Sequence, residues 1–207
     1  MLRTRKAEIA KAFDGVAEYY DKYMEETGHV ESQRRVARFI KENEQGLVLD
    51  VATGTGMMLE PFDDGVGIDL SVEIVRRAKE KQPDKSFLVS DVHYLPFKTK
   101  AFDLGISCLA FLWFDDPEAA LKEMLRVCRK VYLVEEEGVP ARKRIEIPDR
   151  LKHFFETIEK LEREVFITEL DAYRASGMYG RVFEADIDGS HKFVCWMAQS
   201  TNLYSTT

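Results

Sequence analysis

The sequence predicts an α/β fold, in which a mostly parallel sheet is covered by helices on both faces. Short apolar runs alternate along the chain with longer segments of helical periodicity. The short runs are almost continuously apolar, as strands buried on both faces must be. Near the end, Asp188 and Gly189 separate two further apolar runs, which is a strong hairpin signal. Strands joined by crossover helices run parallel, so the hairpin adds an antiparallel pair to a parallel sheet.

The parallel strands and their crossover helices can be placed from these patterns. Five strands are predicted at residues 47–52, 65–70, 86–90, 103–108 and 131–135. Ser71 is a suitable cap for a helix over 72–81, and Pro117 suits the first turn of a helix over 118–129. Both helices carry one apolar stripe, which is the face expected to pack on the sheet.

The two ends of the chain depart from this repeat. Two helical patterns, over 6–24 and 30–42, precede the first strand. After the fifth strand we expect an irregular connection over 137–147, an amphipathic helix over 148–164, a short helix over 169–175, and hairpin strands over 181–187 and 191–198. The predicted organisation is a single domain over 1–207. Its parts are an N-terminal helical cap (1–44), a ligand-binding core (45–137), a connection with a candidate lid helix (138–167), and a C-terminal helix and hairpin (168–200).

Composition narrows the class of protein. The chain has 207 residues and a net charge of −7, which argues against nucleic acid as a partner. Its three cysteines are widely spaced, so neither a disulfide framework nor a cysteine metal site is expected, and no metal is predicted. No apolar run is long enough for a membrane span, and the charged start lacks the features of a signal peptide. We therefore expect a cytoplasmic protein, either a monomer or a homodimer.

The stretch VLDVATGTG, residues 48–56, places a glycine-rich turn directly after the first strand. In a parallel sheet such a turn lies at the carboxyl edge, where these folds bind ligands. Glycine lets a ligand approach the backbone without interference from a Cβ atom. On its own the turn has a simpler interpretation, as a tight connection between strand and helix.

Carboxylates near the ends of three successive strands favour the ligand-binding interpretation. Asp69 is suited to accept the two hydroxyls of a ribose, and Asp91 to accept the exocyclic amine of adenine while Val92 packs on the ring. Asp50 would suit a ligand that carries an ammonium group. Each acid alone is also compatible with a solvated strand end or a helix cap, but the three together point to one ligand.

Two ligand chemistries compete for this site. A nicotinamide dinucleotide site requires a third glycine, for which this sequence has Leu59, and Pro61 cuts the following helix short. Asp50 would also place negative charge near the pyrophosphate. An adenosine joined to an amino acid satisfies all three acids, and that compound is S-adenosylmethionine (SAM).

At this point the sequence resembles the class I SAM-dependent methyltransferases, specifically the type 11 branch that includes ubiquinone- and menaquinone-biosynthesis-like enzymes. The resemblance covers about residues 13–129 and rests on VLDVATGTG (48–56), VGIDLS (66–71), SDVHYLPF (90–97), the pair Phe102 and Asp103, and DDPEAALKEMLRV (115–127). It implies a Rossmann-like sheet of seven strands in the order 3-2-1-4-5-7-6, with strand 7 antiparallel. It also implies methyl transfer from SAM to a small-molecule acceptor, with S-adenosylhomocysteine (SAH) as product.

The resemblance also implies roles for individual residues. Asp50 and the backbone of Ala52, Thr53, Gly54, Thr55 and Gly56 hold the methionyl part. Asp69 takes the ribose hydroxyls, Leu70 flanks the adenine, and Asp91 and Val92 hold its edge. Cys108 lies near the sulfonium. The segment AFDGVAEYYD (12–21) resembles the stretch that folds over the cofactor, with Tyr20 as its contact; helix packing is the alternative for Tyr20.

The acceptor site is less defined by the sequence. Phe111 and Trp113, with Phe154 and Phe155 of the predicted 148–164 helix, are the candidates to line an apolar pocket; for the first two a place in the core is the alternative. His29 and His153 are the candidates for a general base, each with an ordinary surface histidine as the alternative. Two other functions remain open: a SAM- or SAH-binding module without turnover, and a methyltransferase acting on RNA or protein.

Overall fold

The computed structural model describes residues 2–138, 180–186 and 191–199. The predicted connection, the candidate lid helix over 148–164 and the helix over 169–175 lie outside these residues, as do His153, Phe154 and Phe155. The division of the chain into cap, core, connection and C-terminal hairpin therefore stays a prediction.

The described residues form one seven-stranded sheet in the order β3-β2-β1-β4-β5-β7-β6. The strands are β1 (Val48–Val51), β2 (Gly65–Asp69), β3 (Ser86–Val89), β4 (Phe102–Cys108), β5 (Cys128–Gly138), β6 (Gly180–Asp186) and β7 (His191–Gln199). Six strands run in one direction, and β7 is antiparallel to both of its neighbours. The predicted fold class and strand order are confirmed.

Five α-helices accompany the sheet in the described residues: α1 (Leu2–Val16), α2 (Tyr20–Glu26), α3 (His29–Asn43), α4 (Val72–Lys81) and α5 (Pro117–Val127). Two hydrophobic clusters lie on the sheet. One contains the buried stripe of α3, and the other contains that of α5. The sheet is thus covered on both faces, which explains why its strands are almost continuously apolar.

A side-chain cap opens each of the two crossover helices. The Ser71 hydroxyl accepts a hydrogen bond from the backbone N–H of Ile74 at 3.1 Å, and α4 has the predicted bounds of 72–81. Asp116 accepts from the N–H of Ala119 at 2.9 Å, and Pro117 forms the first turn of α5. In both cases the side chain satisfies an N–H group that the helix itself leaves unpaired.

The predicted bounds of two helices and one strand are wrong, and the strand predicted over 131–135 extends over Cys128–Gly138 as β5. The pattern over 6–24 forms two helices, because the chain turns after Val16, where Tyr19 N–H donates to the Val16 carbonyl at 2.8 Å. The turn buries Tyr19 against Val16 and directs Tyr20 to the glycine turn. The helix predicted to reach 129 ends at Val127, and β5 begins at Cys128 because that residue pairs with Phe102 of β4.

Three further findings concern groups that the sequence analysis considered. Cys108 and Cys128 are buried, and neither forms a disulfide within the described residues. Among the described residues there is no cluster of His, Cys, Asp and Glu side chains able to hold a metal ion. None of the helices in those described ranges combines the length and the hydrophobicity that a membrane span requires.

Candidate functional site

Two adjoining cavities lie at the carboxyl ends of β1, β2 and β4, below the N-terminal helices. The larger contains about 800 Å³ of empty space, including its open mouth, and the smaller about 280 Å³. Both are lined by Tyr20, Ala52, Gly54 and Cys108, so these four residues mark the place where the cavities meet. The size and the position of the pair fit the ligand crevice of an open parallel sheet.

The glycine turn forms the floor between the two cavities. Its backbone enters the left-handed region three times, at Ala52 (φ 55°), Gly54 (φ 54°) and Gly56 (φ 86°). A Cβ atom on Gly54 would lie 3.3 Å from the Tyr20 ring, so the ring packs closely on the bare backbone. Gly56 lines neither cavity. A Cβ atom there would lie 2.5 Å from the Gln82 amide nitrogen, so this glycine serves the packing of the turn.

Asp50 is a buried carboxylate on the wall of the smaller cavity. It is 1% exposed, and its Oδ2 accepts a hydrogen bond from the Thr53 hydroxyl at 2.6 Å. Its Oδ1 has no hydrogen-bond partner among the described residues. Burial raises the pKa of Asp50 to about 7, with a further contribution from the charge of Asp69 and partial compensation by Thr53. A cation next to Oδ1 would satisfy this oxygen and favour the charged form.

Asp69 is the last residue of β2 and lines the larger cavity. Its Oδ2 accepts from Gly54 N–H at 3.1 Å and its Oδ1 from Ser71 N–H at 3.0 Å. Desolvation raises the pKa of Asp69 to about 6, although these backbone hydrogen bonds oppose the shift. The two bonds fix the carboxylate at the edge of the glycine turn, with lone pairs left on both oxygens for a ligand.

Asp91 follows β3 by two residues and lines the same cavity as Asp69. Its Oδ1 accepts from His93 N–H at 3.0 Å and lies 2.7 Å from His93 Nδ1. Its Oδ2 accepts from Lys6 Nζ at 2.6 Å. Burial alone would raise the pKa of Asp91, but the hydrogen bonds from Lys6 and His93 outweigh burial and lower it. Asp91 is therefore a charged group next to a cation.

The N-terminal helices are fastened to the loops that form the cavities. The Asp14 carboxylate accepts from the Ser71 hydroxyl at 2.5 Å and from Glu73 N–H at 3.0 Å, which ties α1 to the start of α4. Asp21 accepts from the Thr55 hydroxyl and, at 2.7 Å, from Lys81 Nζ. These contacts hold Tyr20, the first residue of α2, over the glycine turn.

The remaining predicted cofactor residues also lie at the two cavities. Leu70 and Val92 line the larger cavity, on the side of Asp69 and Asp91, and Thr53 and Thr55 line the smaller one. Desolvation by burial raises the pKa of the Tyr20 hydroxyl, and the nearby charge of Asp69 adds to the shift. The structure thus brings together every predicted cofactor residue except Gly56.

Of the described residues predicted for the acceptor pocket or as a base, one lines the larger cavity and two do not. Trp113 lines the larger cavity and meets the Phe13 ring edge-on, with centroids 5.6 Å apart. Phe111 is buried in the core and packs on Phe114, so its side chain is not part of the cavity wall. His29 begins α3, with Nδ1 2.5 Å from the Thr27 hydroxyl, and lines neither cavity.

Several residues of the larger cavity were not identified from the sequence. Lys6, Ile9 and Phe13 of α1 and Asp115 before α5 line it. Phe13, like Asp14 and Asp21, lies in the AFDGVAEYYD segment (12–21), whose resemblance to a cofactor-covering stretch could have indicated it. Lys6 had no such signal, because it is one of several charged residues near the start of the chain.

Comparison with known proteins agrees with this geometry. Residues 49–131 match the family model described as a methyltransferase domain. The chain is 34% identical over 137 residues to demethylmenaquinone methyltransferase of Paenarthrobacter aurescens, covering 62% of this chain and 53% of that protein. It is 31% identical over 137 residues to malonyl-[acyl-carrier protein] O-methyltransferase of Pseudescherichia vulneris, covering 62% and 52%. The chain spans about half the length of the curated relatives it matches.

Solved structures share the fold at low sequence identity. A SAM-dependent methyltransferase from Thermotoga maritima has a TM-score of 0.63 at 18% identity, covering 93% of this chain and all of that chain. Magnesium protoporphyrin IX methyltransferase from Synechocystis has a TM-score of 0.61 at 13% identity, covering 94% and 97%. At this identity the likeness shows the fold alone. The match of residues 49–131 to the methyltransferase-domain family model agrees with the resemblance found in the sequence.

Proposed function

We propose that this protein is a methyltransferase that uses SAM to methylate a small-molecule acceptor and releases SAH. The observation that carries the proposal is the arrangement of Asp50, Asp69 and Asp91 along two adjoining cavities. The buried Oδ1 of Asp50, which has no partner among the described residues, fits the ammonium of the methionyl part. The larger cavity has the size and the polar edge that a nucleoside requires.

Each part of the cofactor has matching residues in this proposal. Asp50 binds the ammonium group, and the backbone of residues 52–56 holds the rest of the methionyl chain. Asp69 accepts the ribose hydroxyls, while Leu70 and Val92 pack on the adenine and Asp91 accepts from its amine. Tyr20 and Cys108 line both cavities, so they would lie beside the sulfur between the two halves of the ligand.

The bound cofactor supplies the chemistry of the reaction, because its sulfonium carries an activated methyl group. The role of the protein is to orient the acceptor in line with that group and to exclude water. The Tyr20 ring on Gly54 and the Phe13–Trp113 contact build an apolar wall suited to this task. We assign no general base. In the described part of the chain His93 is the one histidine that lines the cavities, and His29 lines neither of them.

For the methyl acceptor we propose a chemical class and not a particular compound. Demethylmenaquinone and malonyl-[acyl-carrier protein] appear in the names of relatives, and Trp113 with Phe13 offers an aromatic wall here. We propose a small acceptor with an apolar or aromatic body. The predicted contribution of Phe154 and Phe155, the cytoplasmic location and the monomeric or homodimeric state stay predictions.

Calorimetric titration with SAH, followed by transfer of labelled methyl to a panel of acceptors, tests the proposed function. The wild-type chain should bind SAH, and Asp69→Ala should weaken binding at least about tenfold, because two hydrogen bonds to a charged acceptor are lost. Asp63→Ala is the matched control, because the Asp63 side chain is 92% exposed, pairs with Lys41 and lines neither cavity. SAH binding without transfer to any acceptor would favour a binding module. Transfer only to RNA or protein would favour that class of substrate, and no binding would contradict the proposal.

A further inference from the structure

Gln33 is a polar residue on the buried stripe of α3. It precedes Val36, Ala37 and Ile40 at helical spacing, and these three are fully buried in the cluster on the sheet. Gln33 itself is 6% exposed and lines the smaller cavity. A leucine here would extend the apolar stripe, whereas a buried amide costs free energy unless it has a partner. The position of Gln33 therefore points to a ligand in that cavity.

The smaller cavity is the part of the site that, on the proposed function, receives the methionyl group. That group carries an ammonium and a carboxylate on one carbon atom. Asp50 is matched to the ammonium, but the carboxylate needs hydrogen-bond donors of its own and would be repelled by Asp50. In the described part of the chain, no arginine, lysine or histidine lines this cavity. The donors must therefore come from uncharged groups.

Most donors of the glycine turn are already engaged. The N–H groups of Thr53, Gly54 and Gly56 donate to acceptors within the chain at 2.8, 3.1 and 2.9 Å. The Thr53 hydroxyl donates to Asp50 at 2.6 Å, and the Thr55 hydroxyl donates to a carboxylate of α2. The turn can therefore meet only part of what a carboxylate requires.

The amide of Gln33 is the one nitrogen donor among the side chains that line the smaller cavity in the described chain. No hydrogen bond to another described residue occupies it. The Tyr20 hydroxyl is a second donor, but it lies 3.4 Å from the position of a Gly54 Cβ atom, where the two cavities meet. Because an amide is uncharged, it does not form an ion pair with Asp50 in place of the ligand's ammonium.

We infer that Gln33 binds the carboxylate of the methionyl group through its Nε2–H donors. The inference rests on the proposed function, because it assumes that the methionyl group lies in the smaller cavity. It adds a binding residue from α3, which lies outside the sequence motifs and outside the residues that match the family model. Gln33 and Asp50 together then distinguish an amino-acid chain from a simple amine.

The test compares SAH with S-adenosyl-3-thiopropylamine, which keeps the ammonium of SAH and lacks its carboxylate. Dissociation constants are measured by calorimetry for the wild-type chain and for Gln33→Met, whose unbranched side chain has a similar length. Gln33→Met should bind SAH about tenfold more weakly, because a hydrogen bond to a charged group is lost. Its affinity for the thiopropylamine should be unchanged. Since methionine continues the apolar stripe, urea unfolding should show no loss of stability.

Two further variants complete the test. Asp50→Asn should weaken the binding of both ligands, since both carry the ammonium. Arg38→Met is the control, because Arg38 is 53% exposed on α3, pairs with Glu31 and lines neither cavity; it should change neither dissociation constant. Equal weakening of both ligands by Gln33→Met, or no change in either, would overturn the inference while wild-type SAH binding still supports the proposed function. Failure of the wild-type chain to bind SAH would overturn both.

Discussion

Asp50 is a carboxylate whose charge depends on what lies beside it. Its pKa is raised from 3.8 to about 7 by burial, and one of its oxygens has no partner among the described residues. The raised pKa means that the carboxyl group stabilises the fold most when it is protonated. That stabilisation is fully present below about pH 4 and is lost as the pH rises through about 7. A cationic group of a ligand reverses the preference.

SAH binding should therefore be pH-dependent. Below about pH 7 the affinity should fall by up to tenfold for each pH unit, because binding the ligand's ammonium requires the charged form of Asp50. Calorimetry at several pH values, in buffers of different ionisation enthalpy, should show proton release on binding near pH 6. The variant Asp50→Asn should bind more weakly, with a flattened profile. A wild-type affinity that does not change with pH would contradict the role of Asp50.

At the scale of residues, the sequence indicated the acids but not their surroundings. Asp50, Asp69 and Asp91 were identified because each lies near the end of a predicted strand, and strand ends meet at one edge of a parallel sheet. Lys6 and Phe13 reach the same cavity from α1. The position of α1 depends on long-range contacts such as Asp14–Ser71, which no local pattern in the sequence reveals.

Among the secondary-structure elements, α2 contributes most directly to the site. It begins with Tyr20, whose ring lies on Gly54, and Asp21 fastens it to the glycine turn through Thr55 and to α4 through Lys81. The Asp21 and Lys81 side chains are substantially exposed, so their ion pair adds little to stability. Its main effect is to fix where Tyr20 lies.

The variant Asp21→Ala should separate positioning from stability. We expect SAH affinity to fall about tenfold, while the free energy of unfolding falls by no more than about 1 kcal/mol, the upper range for an exposed pair. Calorimetry and urea unfolding measure the two quantities. Lys22, the exposed neighbour of Asp21 on α2, supplies the control. Lys22→Ala should change neither affinity nor stability beyond error. Unchanged affinity in Asp21→Ala would show that α2 needs no such fastening.

The elements also show where sequence patterns succeed and fail. Helix α4 was predicted with its observed bounds, since Ser71 caps it and one apolar stripe covers it. The break between α1 and α2 was missed, because neither proline nor a strong change of pattern marks residues 17–19. That break arises from tertiary contacts, namely burial of Tyr19 against Val16 and packing of Tyr20 on Gly54.

At the scale of the whole molecule, the sheet order places three separate sequence motifs at one site. Strands β1, β2 and β3 lie side by side, so Asp50, Asp69 and Asp91 succeed one another across the sheet. The N-terminal helices then close over them through contacts from Lys6 to Asp91, Asp14 to Ser71 and Asp21 to Thr55. The antiparallel β7 was predictable from the Asp188–Gly189 hairpin signal. The full strand order was not, and it came from the family resemblance.

An experimental structure of the complex with SAH tests the central claim most directly. The account predicts that the ribose hydroxyls lie within about 2.6–3.2 Å of Asp69 oxygens. It also predicts the ligand amine on the side of Asp50 and the adenine edge at Asp91. Carboxylate oxygens turned away from a bound ligand, or no ligand in the two cavities at saturating concentration, would contradict it.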